Sequence, residues 1–227
     1  SGRRLETLVP ITGDREALLA GLERIRDDPK QWDSYSDTEG SRARQVRDSY
    51  VYAPPLTRRC PPPLAKTYAN EEFLTARQST ERVAITVGTL AETSAPKSLV
   101  YFGDSLRQKA GLHYLGIIPC ELSPEVQTAI MTPSAAAEFD AVINEALARG
   151  VHFFTIRAEG LLNSRPGWDA ERHRHPGEAL VALAAETGGE AFLGGASSAS
   201  IAERISAATS CRLLLSFPPG ELPRDKP

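Results

Sequence analysis

Cysteine is scarce in this chain: Cys60, Cys120 and Cys211 are the only three among 227 residues, and no C-x-x-C spacing occurs. Scattered thiols of this kind exclude a zinc module built on four cysteines, or on two cysteines and two histidines, whose ligands come in close pairs. They leave open one disulfide with a spare thiol, or three unpaired thiols. Long apolar runs are missing as well. No stretch reaches the roughly 18 residues of a membrane-spanning helix, and no apolar segment of a signal peptide follows Arg3 and Arg4. Positive charge is not in excess, since 26 Lys and Arg stand against 29 Asp and Glu for a net charge of -3. The arginines are interleaved with acids, as in ERIRDD and RAEG, which is the pattern of a solvated surface and argues against a nucleic-acid partner. The G-x-S-x-G elbow, the P-loop and the G-x-G-x-x-G fingerprint are all absent, so the sequence marks of a serine hydrolase and of the nucleotide folds are missing.

What is present begins with a hydrophobic content of 41%, enough for a full globular core. The central stretch is KSLVYFGDSL, residues 97–106: an apolar strand that breaks at Gly103 into Asp104 and Ser105. In an open α/β sheet the ligand crevice lies beyond the carboxyl ends of the strands, so a strand ending in Gly-Asp-Ser sets oxygen ligands at the functional rim.

Upstream, RRLETLV (residues 3–9) reads as a short strand ending at Pro10. Thr12 or Asp14 then caps a helix in which Leu18, Leu19, Leu22 and Ile25 recur at helical spacing. From 27 to 63 the periodicity dissolves. This stretch is longer than the about 12 to 15 residues of an ordinary loop, so it reads as an insertion, with room for a helical turn near 42–50. Its Trp32, Tyr35, Tyr50 and Tyr52 are too aromatic for an inert linker; they pack on their own domain or on a partner.

A long helix is expected over 64–93, a buried strand at 98–102, and a short helix and then an extended piece at 115–118. Ser134 is expected to cap a helix that stops at Gly150, followed by a strand at 151–156, where His152 reads as a core or cross-strand residue. The loop 157–175 carries Trp168, His173 and His175, and flanking Arg172 and Arg174 disfavour a cation at that histidine pair. Pro176 reads as the opening of a helix that the Gly188-Gly189 pair stops. A brief strand at 191–193, another helix and a last strand at 211–217 follow, before the Pro-rich tail 218–227.

Three segments, PITGDREALLAGLERI, KSLVYFGDSL and LVALAAETGGEAF, carry a resemblance in their order and spacing to the second half of the bacterial von Willebrand factor A-related domains. The resemblance covers about residues 4–217 and implies a three-layer α/β fold with a mostly parallel sheet flanked by helices. It further implies that the family's central first strand lies upstream of Ser1, so the chain is expected to be a slice of a longer polypeptide. An extracytoplasmic location is implied in the same way.

Metal-binding members of that family hold Mg²⁺ with a D-x-S-x-S turn, a distant threonine and an aspartate at the end of the central strand, hard oxygens suited to an octahedral ion. Asp104 matches the aspartate, with Ser105 beside it and Thr12 a further candidate, but no D-x-S-x-S occurs. The resemblance therefore implies an incomplete metal-ion-dependent adhesion site. The expected function is a non-enzymatic protein-interaction domain, with Trp32, Tyr35, Tyr50, Tyr52 and Trp168 as partner-contacting residues. One alternative is a Mg²⁺-dependent adhesion domain whose other ligands lie upstream. The other is a hydrolase-type enzyme pairing Asp104, Ser105 or Cys120 with His113 or His152.

Overall fold

The computed structural model describes residues 5–28, 35–92, 97–103, 106–119, 135–157, 168–194 and 196–210; for 35–37, 91 and 168–176 it describes the backbone alone. The fold is α/β. Strands β1 (Lys97–Phe102), β2 (Val151–Ile156) and β3 (Glu190–Phe192) form a parallel sheet in the order β1-β2-β3. Leu99 lies opposite Phe153, and Ile156 opposite Phe192. Helices α1 (Arg15–Asp27), α2 (Tyr35–Val51) and α3 (Pro63–Ala91) precede the sheet. A single-turn helix α4 (Leu112–Leu115) and α5 (Ala136–Ala148) join β1 to β2, and α6 (Trp168–Glu186) joins β2 to β3. These elements belong to one compact unit, Ser1–Gly194; α7 (Ser198–Ser210) belongs to a second, Gly195–Pro227.

Both crossovers step in the same direction along the sheet, and right-handed connections that do so put their helices on one face. That face carries Leu99, Tyr101, Val151 and Phe153, packed with Val83 and Val87 of α3, Phe139, Val142 and Ile143 of α5, and Leu180 and Leu183 of α6. The alternate residues of β1 point the other way, and Phe102 there is 67% exposed.

The Thr-Gly-Gly at the end of α6 locks helix to sheet. Thr187 Oγ1 donates to Leu183 O and accepts the Phe153 N–H at 3.0 Å. Gly188 turns the chain at φ +74°, and Gly189 lies against the Phe153 backbone, where a Cβ would clash.

Several expectations are corrected. Residues 5–9 form no strand; Val9 instead seats against Gly21 of α1. The stretch 27–63 contains α2, a 17-residue helix. Its periodicity is hard to read because its buried positions include Glu39, Ala43 and Val46, an acid and small residues in place of a leucine stripe. Helix α6 begins eight residues before Pro176, which therefore falls in its interior and gives up one backbone bond. Leu115 closes α4 instead of opening an extended piece. The helices expected over 64–93 and up to Gly150, and the strands at 98–102 and 151–156, are found nearly as read. Ser134 and the strand expected at 211–217 lie outside the described residues.

Candidate functional site

Helix α3 has its buried face at Ala65, Glu72, Ala76, Thr80, Val83 and Val87, spaced seven, four, four, three and four apart, so Glu72 occupies a core position. Glu39 does the same on α2. The connection after β1 supplies what these acids require. Arg107 enters the interior directly behind buried Leu106, and its Nη1 donates to Glu39 Oε1 and, at 2.8 Å, to Glu72 Oε1. Glu39 and Glu72 are each 2% exposed and Arg107 4%.

Gly111, at φ +78° and pressed onto the Ala69 backbone, lets the chain turn against α3 into α4. That single turn delivers His113, whose Nε2 lies 3.5 Å from Glu39 Oε1 and 3.9 Å from Glu72 Oε2. It also delivers Tyr114, whose ring stacks near His113 at 4.0 Å and near Tyr68 at 5.7 Å. Burial, then the charges of Glu72 and Glu39, hold the Tyr114 phenol above its ordinary value, with Arg42 pulling the other way. Arg42 itself pairs with Glu71 at 2.8 Å and lies over the Tyr68 ring. The Tyr68 hydroxyl donates to Gln45.

One ligand atom each from Glu39, Glu72 and His113 falls within 4.8 Å of the others, which is metal-like spacing. Arg107 already stands between the two carboxylates and donates to both, and a second cation placed beside it would meet its charge. The ion pairs of the cluster join α2, α3 and the chain just beyond the Gly-Asp-Ser stretch.

The sequence-derived residues fall elsewhere. Thr12 accepts the Asp14 N–H at 3.0 Å, and Asp14 is the cap of α1, accepting from the Glu16 and Ala17 N–H groups. Thr12 thus lies in an exposed helix-start turn. Asp104, Ser105, Cys120 and Trp32, and the side chains of Tyr35 and Trp168, lie outside the described residues. Gly103 holds the end of β1 by donating to Ile156 O at 3.1 Å. Tyr50 carries Arg58 over its ring, while Tyr52 is 82% exposed. His152 lies beside Gly188 on β2. Cys60 is disulfide-bonded, which resolves the state of that thiol.

Glu39, Glu72 and Arg107 escaped the reading of the sequence. Glu72 had a signal, an acid at a core position of the α3 repeat; Arg107 had none, since an arginine after a strand ordinarily reads as surface. The chain matches no known family profile, no curated protein and no solved structure.

Proposed function

We propose that this chain is a non-enzymatic recognition domain of von Willebrand factor A type, three-layered, with an incomplete metal-ion-dependent adhesion site, that binds a protein partner. The observation that carries this reading is α1. Its Leu18, Leu19 and Leu22, with Ile11 just before it, stand exposed to solvent on a helix that is capped by Asp14 and seated through Gly21 on Val9. Leucines at such spacing belong in an apolar groove, and a partner that receives an amphipathic helix supplies one. The disulfide at Cys60 supports an extracytoplasmic setting, where such bonds persist.

A photo-crosslinking residue substituted for Leu19, in cells that make the protein, tests this. The expected result is a discrete covalent adduct with another protein, lost when Leu18→Glu and Leu22→Glu are added. An absence of adduct, or one that survives both substitutions, would count against the reading.

A further inference from the structure

The connection between α2 and α3 has an unusual surface. Leu56 is 101% exposed, Tyr52 is 82% exposed, and Val51 beside them is also open to solvent. This exposure is built in. Pro54 and Pro55 fix the backbone, Thr57 N–H donates to Pro54 O at 2.9 Å, and residues 55–57 close a 3₁₀ turn. Arg58 reaches back to the carbonyls of Ala53 and Val51 at 3.1 and 3.0 Å, and Cys60 two positions on is disulfide-bonded. Apolar side chains that are already held outward lose little further freedom when they meet a surface.

The charge around this tip is one-sided. Residues 42–66 hold six cationic side chains and one acid, Asp48, in a chain whose net charge is -3; of the six, Arg42 is paired with Glu71. Arg44, Arg47, Arg59 and Lys66 are exposed and make no ion pair among the described residues.

We infer that residues 51–59 dock peripherally on an anionic phospholipid surface. A protruding leucine and tyrosine flanked by cations match a surface that is apolar within and anionic at its face. At a bilayer interface Leu56 enters the acyl boundary, Tyr52 sits at headgroup depth, and the arginines meet the phosphates. No helix among the described residues is long and apolar enough to cross a membrane. The surface is separate from the α1 stripe, and the two can be tested independently.

Flotation of the intact chain with vesicles decides it, using phosphatidylcholine alone and phosphatidylcholine with about one third phosphatidylglycerol. The expected result is binding to the anionic vesicles only, fading as salt rises from about 0.05 to 0.5 M. Leu56→Glu should weaken it by about tenfold or more, and Arg47→Ser and Arg59→Ser by about fivefold each. Since all three side chains are exposed, melting of the variants should match the parent, which separates lost binding from lost folding. Equal binding to neutral vesicles, no binding to either, or an unaffected Leu56→Glu variant would overturn the inference. So would polyglutamate displacing the protein from anionic vesicles while Leu56→Glu left polyglutamate binding intact, which would assign the surface to an acidic protein.

Discussion

Two parts of the α2–α3 pair invert the ordinary distribution of residues. In its interior, Glu39, Glu72 and Arg107 are sealed from water, whereas at its end Tyr52 and Leu56 stand in it. The first inversion is answered from within, because Arg107 faces both buried carboxylates, so it specifies how α2, α3 and the 106–115 segment fit together. The second is open, because Tyr52 and Leu56 remain exposed among the described residues. Burying a charge constrains the domain from within; exposing a leucine leaves it available to solvent or to a surface.

The largest effect should come from breaking the buried arrangement. Arg107→Met leaves two buried carboxylates without their guanidinium and should lower stability by about 3 to 5 kcal/mol, measured by denaturant unfolding. Combining it with Glu39→Leu and Glu72→Leu should recover most of that loss, because well-packed apolar replacements of a buried ionic group are often tolerated. Failure of the combined variant to recover would mean that the cluster has a role beyond neutralising itself.

Next in size is an alkaline effect. Tyr114 is raised by burial first and then by Glu72 and Glu39, so above the ordinary tyrosine value of about 10 the unfolded chain loses a proton that the folded one keeps. The stability tied to this phenol is complete below about pH 10 and declines as the pH rises beyond it, by up to about 1.4 kcal/mol per pH unit. Tyr114→Phe should flatten that part of the unfolding profile; an unchanged slope would place the titrating group elsewhere.

At the open surface, Leu56→Glu should change stability by no more than about 0.5 kcal/mol, in contrast to the interior. A larger loss would show that the tip packs on something within the domain. The smallest expected effect is that of added Mg²⁺. Arg107 holds the buried carboxylates and Thr12 is turned into the start of α1, so the melting temperature should shift by less than about 1 °C per the usual stability scaling. A clear shift that Asp104→Ala abolishes would restore an intact metal site.

The sheet was largely legible in the sequence because its signals are local. SLVYF and VHFFTI are short apolar runs, and the Thr-Gly-Gly after α6 combines a left-handed turn with a close backbone approach that glycine permits. Helix α2 was not legible, since it buries Glu39 and Ala43 where a reader of periodicity looks for leucine. The candidate site was the least legible part. Its members come from three segments, and Arg107 reaches a partner 68 positions away, a pairing that no spacing rule encodes. Tyr52 was identified from its aromatic character alone, while its neighbour Leu56 was passed over, because a single leucine in a loop carries no pattern until its exposure is known.

Arg107 stands three positions after Asp104, in the same connection that leaves the carboxyl end of β1. The anchoring of the segment from residue 106 onward is therefore delegated to a distant helix: a change at Glu39 reaches it through Arg107. A scan that ranks positions by lost binding alone would not separate such a mooring from recognition.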